Sequence, residues 1–228
     1  MATPRDSRAS AGARRLADLD LGVLYERLLA AHGPQDDWWP AESAFERMVS
    51  AILVQNTRWE NAAAAISNLR EAGLMSPEAL AQADPEALAG PVRPAGFMTA
   101  KSAAVRGLAA WVRDGEPEAL GDEELRAQLL ALRGVGPETA DVIALYRYER
   151  RAFIADAYAR RLLARFDYAV PGSYEATRRQ VLPALEASAL GARELGELHG
   201  LIVEEGKADA QRSQARARHS PTAAARAR

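Results

Sequence analysis

The sequence predicts an all-α protein, and three observations support this fold class. Apolar residues recur at steps of three and four along most of the 228 residues, the spacing of a helix face buried against a core. Ser or Asp followed by Pro, and Gly after an apolar run, mark helix starts and ends. No stretch alternates apolar and polar residues for long enough to require a sheet.

The predicted helices follow one another with short connections. Residues 16–31 carry a stripe of leucines, and residues 42–54 repeat large apolar side chains at steps of three and four. The segment 76–90 predicts two short helices, because each half opens with a capping Ser or Asp followed by Pro. The other predicted helices are 61–74, 96–112, 122–132, 137–148, 157–166, 173–188 and 193–204.

The composition excludes several classes of site. The chain contains no cysteine, which excludes disulfides, thiolate zinc sites and iron–sulfur clusters held by its own thiolates. Its three histidines (His32, His199 and His219) offer little for a metal site, and no apolar run reaches the roughly 20 residues of a membrane span. We therefore expect a cytoplasmic protein. The net charge of −2 does not indicate a nucleic-acid partner, but a local basic stripe is sufficient for one.

The two ends of the chain are basic and poor in large apolar residues. Residues 1–15 contain four arginines and one acid, and residues 207–228 contain six basic residues and one acid. Such composition predicts a disordered N-terminal arm over 1–15 and a disordered tail over 207–228. The arms either keep the protein soluble or tether it to DNA phosphates.

One turn has the composition of an anion site. In "LRGVGPETAD", Gly134 and Gly136 flank Val135, and Pro137 begins the next helix. Glycine lets another backbone approach closely, and the free N–H groups at a helix start attract anions. The same pattern also suits an ordinary corner between two helices, so the spacing leaves both interpretations open.

Asp156 follows an apolar run and precedes a predicted helix in "AFIADAYARR". An Asp at this place is a typical N-cap. A carboxylate can also stabilise positive charge that develops on a sugar when a glycosidic bond breaks. The two roles are compatible.

These two segments together resemble the helix-hairpin-helix DNA glycosylases of the endonuclease III superfamily, over roughly residues 38–207. The resemblance implies two helical lobes, 16–41 with 150–206 and 42–149, with DNA bound in a cleft between them. It implies that Asp156 is catalytic and that the hairpin holds the DNA backbone, with a monovalent cation on the carbonyls of Leu132 and Val135. The implied hairpin contacts are Gly134, Val135, Gly136 and Thr139.

A narrower resemblance is carried by "WWP", "FERMVSAILVQNTRWENA", "RPAGFMTAKSAAV" and "HGLIVEEGKA". These blocks are similar to the 3-methyladenine glycosylases of that superfamily that lack an iron–sulfur cluster. The resemblance implies a base pocket that uses Trp38, Trp39, Pro40, Trp59, Glu138 and Lys207. Leu201 departs from the branch, which can carry a Lys there. Glu138 stands where lyase members carry a Lys, and a carboxylate cannot form an imine with the sugar.

The resemblance also implies residues that probe the duplex. A flipped base leaves a gap that a side chain must fill. We expect Gln55 to be that wedge, with Asn56 beside it, and Phe97 and Lys101 to form a second DNA contact. The alternatives are a solvated Gln55 at a helix end and a Phe97 packed in the core.

The sequence therefore predicts a monofunctional DNA glycosylase that hydrolytically removes alkylated purines, 3-methyladenine and also 7-methylguanine. Three alternatives stay open: a glycosylase of the same fold for oxidised or mismatched bases, a non-catalytic binder of damaged or branched DNA, and an unrelated helical protein whose glycine turn faces a partner helix. We expect a monomer acting on double-stranded DNA at the bacterial nucleoid, without an organic cofactor, a membrane partner or an iron–sulfur cluster.

Overall fold

The computed structural model describes residues 12–35, 38–115, 118 and 120–218, and within them the fold is all-α, as predicted. Two short 3-10 turns, Leu16–Asp18 and Arg93–Ala95, accompany the α-helices. The helices are α1 (Leu21–His32), α2 (Ala44–Leu53), α3 (Trp59–Glu71), α4 (Pro77–Gln82), α5 (Pro85–Val92), α6 (Met98–Arg113), α7 (Asp122–Ala131), α8 (Pro137–Tyr148), α9 (Ala157–Arg165), α10 (Tyr174–Ala187) and α11 (Ala192–Arg218).

The chain folds into two compact units, each with its own core. The first unit comprises Met1–Trp38 with Phe153–Arg228, and the second comprises Trp39–Ala152, where the sequence predicts a lobe over 42–149. We call them the terminal unit and the central unit. No helix in the described part of the chain is long and apolar enough to cross a membrane.

The central unit is built around α2, α6 and α8. α2 packs on α3, α6 and α8, while α6 also covers α4 and α5. The apolar stripe predicted for 42–54 is buried as expected, since Met48, Ile52 and Leu53 are almost completely inaccessible to solvent. Burial of each such side chain contributes about 1.5–3 kcal/mol, which fixes the helices that carry the hairpin and the turn after α2.

The terminal unit is built around α11. α1 and α9 both pack against α11, and α10 packs against the 3-10 turn Leu16–Asp18. The core is rich in leucine, and its most deeply buried members are Leu16, Leu21, Leu163, Leu198 and Leu201. This packing holds the start of α9, where Asp156 lies, against the middle of α11.

Side-chain caps define most helix starts, as the sequence predicts. Ser76 and Asp84 accept hydrogen bonds from backbone N–H groups of α4 and α5, and each is followed by Pro in the first turn. Ser43, Asp156 and Ser173 cap α2, α9 and α10 in the same way. Each cap contributes about 1 kcal/mol, because it satisfies an N–H group that has no partner within the helix.

The prediction of a disordered tail from residue 207 is wrong for residues 207–218, because α11 continues to Arg218. This segment lacks large apolar residues, but Ala, Arg and Gln are strong helix formers. Ion pairs also support it, since Arg165 of α9 contacts Asp209 at 2.9 Å and Lys207 contacts Glu204 at 2.7 Å. Residues 219–228 lie outside the described residues.

The prediction of a disordered arm over 1–15 is also wrong at its end. The Arg14 N–H donates to the carbonyl of Asp167, and the Arg14 carbonyl accepts from Ala169. The Arg14 guanidinium lies 4.3 Å from the centre of the Tyr168 ring. A cation–π contact and two backbone hydrogen bonds fix this part of the arm. Residues 1–11 lie outside the described residues.

Candidate functional site

Asp156 is the N-cap of α9, and its side chain is only 11% exposed. Its Oδ1 accepts a hydrogen bond of 2.7 Å from the Ala159 N–H. Burial raises the pKa of the Asp156 carboxyl above its ordinary value of 3.8, although hydrogen bonds from the Ala159 and Tyr158 amides oppose this rise. The structure therefore places a largely desolvated carboxyl group at the positive end of a helix.

His199 of α11 lies beside this carboxyl group. Its Nε2 is 4.0 Å from Oδ2 of Asp156, which is too long for a direct hydrogen bond. Burial lowers the pKa of His199 to about 4, so the imidazole is neutral at neutral pH. Asp156 consequently faces a neutral polar ring on this side, and the negative charge of its ionised form is not cancelled there.

Trp38 packs on the same part of α11. Its ring meets His199 edge to face at 5.3 Å, and its Nε1 donates to Oε1 of Glu204 at 3.0 Å. A Cβ added at Gly200 would lie 2.9 Å from the indole, so only glycine lets Trp38 approach this closely. The exposed Lys207 donates to the same Glu204 oxygen at 2.7 Å. Three predicted site residues of the terminal unit, Asp156, Trp38 and Lys207, thus lie along one face of α11.

The central unit holds a separate aromatic cluster formed by Trp39, Trp59 and Tyr146. Trp39 meets Trp59 at 6.2 Å in an edge-to-face arrangement and Tyr146 at 5.3 Å in a tilted one. The Trp39 Nε1 donates to Oγ of Ser50 at 2.7 Å, which fixes the indole. All three rings are half-buried, so the cluster keeps apolar surface in contact with solvent. Pro40, which follows Trp39, is exposed.

The hairpin joins α7 to α8 through a tight turn. Gly134 has φ +85°, and a Cβ there would lie 2.6 Å from Cβ of Ala104. Val135 is 6% exposed, and its N–H donates to the Leu132 carbonyl at 3.1 Å. Gly136 differs from Gly134, since a Cβ there would meet no atom within 4 Å. The fold therefore explains Gly134 but leaves open space at Gly136, directly before the first turn of α8.

The turn after α2 is attached to the hairpin by Gln55. Its Nε2 donates to the Gly134 carbonyl at 3.1 Å and to Oγ1 of Thr139 at 2.8 Å. The side chains of Thr139 and Val135 are buried, so these two residues could contact DNA only through their backbone atoms. Asn56, the next residue, is exposed and has φ +54°.

Phe97 forms a second exposed feature of the central unit. The alternative of a core position is wrong, because Phe97 is 69% exposed and is followed by Met98 at 37%. Its φ of +47° is strained for an aromatic residue, and it precedes the first residue of α6. An exposed apolar side chain on a strained turn is a typical feature of a binding site.

The prediction that Lys101 contacts DNA is wrong. Its side chain is 4% exposed, and its Nζ donates to the carbonyls of Leu53, Gln55 and Ala95, each at 2.8 Å. The ammonium group has three N–H donors, and these three acceptors use all of them. Lys101 therefore holds backbone inside the central unit, and no donor of its ammonium remains for a phosphate.

The sequence matches the HhH-GPD superfamily of base excision DNA repair proteins over residues 49–186, more than half of the chain. The chain belongs to the HhH-GPD superfamily. A candidate DNA repair glycosylase of Methanocaldococcus jannaschii is 39% identical over 149 residues, which are 62% of this chain and 67% of the relative. Endonuclease III of Sulfolobus acidocaldarius is 30% identical over 128 residues, 55% of this chain and 57% of that enzyme.

Solved structures with this HhH-GPD fold include the 3-methyladenine DNA glycosylase of H. pylori bound to 1,N6-ethenoadenine. That structure has a TM-score of 0.69 and 24% identity, and the match covers 82% of this chain and 98% of that one. A non-covalent endonuclease III–DNA complex has a TM-score of 0.65 and 17% identity, and covers 80% and 82% of the two chains. The resemblance to this superfamily that the sequence motifs carry is confirmed, and the protein is a DNA repair glycosylase of the HhH-GPD superfamily.

Sequence reasoning missed two side chains beside the candidate site of this HhH-GPD glycosylase. His199 lies next to Asp156, but a lone His on the apolar face of a helix is usually a core residue. Tyr146 packs against Trp39, whereas the run "YRYERR" (146–151) indicates either a basic surface near DNA or the polar side of a helix end. Glu138, which the resemblance assigns to the base pocket, lies in the first turn of α8 and is exposed.

Proposed function

We propose that this HhH-GPD glycosylase is a monofunctional hydrolase that removes alkylated purines, 3-methyladenine above all and also 7-methylguanine, from double-stranded DNA. The observation that carries the proposal is the buried carboxyl group of Asp156, fixed by the α9 amides and facing a neutral imidazole. Glycosidic cleavage develops positive charge on the sugar. A desolvated carboxylate stabilises that charge far more strongly than one in water does.

The aromatic side chains support a cationic base as the substrate. Alkylation at N3 of adenine or N7 of guanine gives the base a formal positive charge while it is attached to the sugar. An indole face attracts a cation by about 0.5–2 kcal/mol beyond the apolar contact. Trp39 and Trp59 offer half-buried rings, and Trp38 is held against α11 by Glu204 and Gly200. Because such bases leave readily, a neutral His199 is sufficient and no strong general acid is needed.

The absence of lyase activity is proposed from Glu138. An AP lyase attacks the sugar with an amine and forms an imine, which a carboxylate cannot do. Glu138 is exposed in the first turn of α8, two residues after Gly136. Two relatives support the lesion class: the H. pylori structure contains an ethenoadenine base, and a 3-methyladenine glycosylase of Archaeoglobus fulgidus shares the fold with a TM-score of 0.58.

We further propose that the protein acts as a cytoplasmic monomer at the nucleoid and needs no organic cofactor. We also propose that it holds no iron–sulfur cluster, since its sequence has no cysteine to bind one. The carbonyls of Leu132 and Val135 are the groups that would hold a monovalent cation at the hairpin. Among the described residues, no group of three or more His, Cys, Asp or Glu side chains could hold a metal ion.

The proposal is tested by base release from duplexes that each contain one lesion: 3-methyladenine, 7-methylguanine, 1,N6-ethenoadenine, an oxidised pyrimidine, 8-oxoguanine or uracil. We expect release of the methylated purines first. Strand breaks should require alkali, and borohydride should trap no covalent complex. Breaks without alkali would show a lyase, and preference for an oxidised or mismatched base would favour the alternative glycosylase.

The variant Asp156→Asn tests in the same assay whether base release needs the negative charge of Asp156, because the amide of Asn can still cap α9 but carries no charge. Asp20→Asn is the matched control, since Asp20 caps α1 in the same unit through a 2.9 Å bond from Val23 N–H. We expect the first variant to lose base release and the second to keep it. Equal activity of both variants would remove Asp156 from the mechanism. Lesion binding without release by the wild-type protein would favour a non-catalytic binder.

A further inference from the structure

Lys101 places a buried positive charge where two turns of the central unit meet. Its ammonium donates to the carbonyls of Leu53 and Gln55, at the C-terminal end of α2, and to that of Ala95, the last residue of the 3-10 turn Arg93–Ala95. The last carbonyls of a helix lack partners and carry the negative end of its dipole, so a cation is favourable there. The bond to Ala95 is not needed for this cap, and it joins a second turn to the first.

Both turns carry strained residues next to the bonded carbonyls. Asn56 directly follows Gln55 and has φ +54°, and Phe97 follows Ala95 by two residues with φ +47°. Asn adopts a left-handed conformation readily, but this conformation costs a bulky residue such as Phe97 about 1–2 kcal/mol, so the turn at Phe97 above all must be held by its surroundings. The Lys101 N–H supplies one further restraint, because it donates to the Phe97 carbonyl at 2.9 Å. Lys101 thus contacts both turns through its side chain and its backbone.

The lysine also comes at a cost, because burial lowers the pKa of its ammonium group. An apolar side chain of similar length would fill the same volume without desolvating a charge. The side chains on the two joined turns indicate a role for the Lys101 ammonium group other than stabilising the fold. Gln55 reaches the hairpin through Gly134 and Thr139, while Phe97 extends into solvent. A change at Lys101 would therefore alter the distance between the two side chains predicted to probe the duplex.

We propose that Lys101 is a positioning residue that fixes the turn carrying Gln55 and the turn carrying Phe97 at one separation, so that both side chains enter the base stack together. This inference rests on the proposed function, since it assigns both side chains to the gap left by a flipped base. The residue touches neither base nor sugar. Its expected effect is on opening the duplex and not on breaking the glycosidic bond.

The first readout is the fluorescence of 2-aminopurine placed beside a tetrahydrofuran site in a duplex, which rises when neighbouring bases are unstacked. The duplex contains no cleavable lesion, so the signal stays informative even if the protein excises no alkylated base. The second readout is excision of 3-methyladenine from duplex and from single-stranded DNA. Single strands offer no partner base to displace, and so they isolate bond breaking.

Lys101→Met is the test variant and Leu108→Ala is its matched control, because Leu108 is fully buried on the same helix α6 and its side chain has no hydrogen-bond donor for the carbonyls of either turn. For Lys101→Met we expect loss of the 2-aminopurine signal and a fall of about 10- to 100-fold in duplex excision, with single-strand excision within about twofold. For Leu108→Ala we expect a lower unfolding temperature. The 2-aminopurine signal and the ratio of duplex to single-strand excision should both stay at the wild-type value. Should Lys101→Met not fold, Lys101→Gln replaces it, since its amide can still hold two of the carbonyls.

Chemical rescue separates the ammonium from the volume of the side chain. The natural chain has no cysteine, so Lys101→Cys introduces one thiol. Alkylation of the unfolded variant with 2-bromoethylamine displaces bromide and creates a lysine analogue with sulfur in the chain, and the protein is then refolded. We expect the 2-aminopurine signal to return. An unchanged signal in Lys101→Met, parallel losses on duplex and single strand, or a refolded analogue without signal would each overturn the proposal.

Discussion

Asp156 in the terminal unit and Lys101 in the central unit are both buried charged groups, but their surroundings satisfy them to different degrees. Lys101 uses all three ammonium donors on backbone carbonyls at 2.8 Å. Asp156 binds the Ala159 amide through Oδ1, while its Oδ2 lies 4.0 Å from a neutral imidazole. Lys101 uses its hydrogen-bonding capacity entirely within the fold and therefore fixes structure, whereas the pKa of Asp156 stays raised by burial despite the nearby Arg160 and Arg161, as is typical of a group that takes part in chemistry.

The largest expected effect follows from neutralising the less satisfied charge. Asp156→Asn should lower single-turnover base release about 100- to 1000-fold, the usual cost of removing one stabilising group from a transition state. The same variant should unfold at a higher temperature at neutral pH. Because burial raises the Asp156 pKa, the ionised form destabilises the fold at any pH above that pKa, and an amide removes this cost.

The gain in stability should shrink as the pH falls, because the Asp156 carboxyl then takes up a proton and loses the charge that burial disfavours. Calorimetry between pH 8 and about 4 checks this trend. A lower unfolding temperature for the Asn variant at pH 8 would show that the ionised carboxylate stabilises the terminal unit. That result would place Asp156 with Lys101 as a structural charge and contradict the contrast between the two units.

A second prediction concerns the pH dependence of the terminal unit through His199. Burial holds its pKa at about 4 in the folded protein, against an ordinary value of 6.5. As the pH falls from 6.5 to about 4, His199 takes up a proton in the unfolded chain but stays neutral in the folded protein. The free energy of unfolding should therefore fall by about 3 kcal/mol over that range through this group.

The measurement compares urea unfolding of Asp156→Asn with that of the double variant Asp156→Asn, His199→Gln, so that the neighbouring carboxyl does not titrate. The double variant should lack this component of the pH dependence. Identical curves for the two proteins would show that His199 takes up a proton in the folded protein as readily as in the unfolded chain. Burial would then not keep the imidazole neutral, and the contrast drawn between the surroundings of Asp156 and those of Lys101 would fail.

How far the sequence predicts this structure depends in both units on whether the signal is local. The helices follow from local signals, as at Ser76 and Asp84, where the cap and the proline stand side by side. Asp156 is found because its cap position coincides with a recognisable motif. Lys101 and His199 could not be placed, since a lysine usually lies on the surface and a lone histidine carries no pattern. Their roles depend on atoms more than 40 residues away in the chain, as Lys101 and Leu53 show.

The two glycines of the hairpin provide a third prediction, in which substitution of Gly136 is the control for substitution of Gly134. Gly134→Ala forces a Cβ to within 2.6 Å of the Ala104 side chain at a φ of +85°, so it should cost about 2–4 kcal/mol of stability. Gly136→Ala meets no atom, and because Gly136 is the N-cap of α8, where Ala is less favourable than Gly, the substitution should cost only about 0.5–1 kcal/mol. If a DNA strand approaches this backbone, the second variant should still bind duplex more weakly.

Urea unfolding and a salt-dependent binding assay separate the two glycines. Full duplex affinity in Gly136→Ala would place DNA elsewhere on the central unit. A stable Gly134→Ala would show that α6 moves away from the hairpin at little cost, which would also weaken the argument that Lys101 holds rigid neighbours in the central unit.

The smallest expected effect tests whether the aromatic cluster of the central unit acts on charge in the way that Asp156 does in the terminal unit. Trp59→Leu keeps apolar bulk beside Trp39 but removes the π face. The loss of about 0.5–1 kcal/mol of cation–π attraction predicts a fall of about two- to fivefold in excision of cationic 3-methyladenine. Neutral 1,N6-ethenoadenine should lose only the shared stacking, so the ratio of the two rates is the informative quantity. If that ratio stays constant, Trp59 provides apolar contact alone, and the proposed selectivity for alkylated purines must come from the lability of the glycosidic bond on which Asp156 is proposed to act.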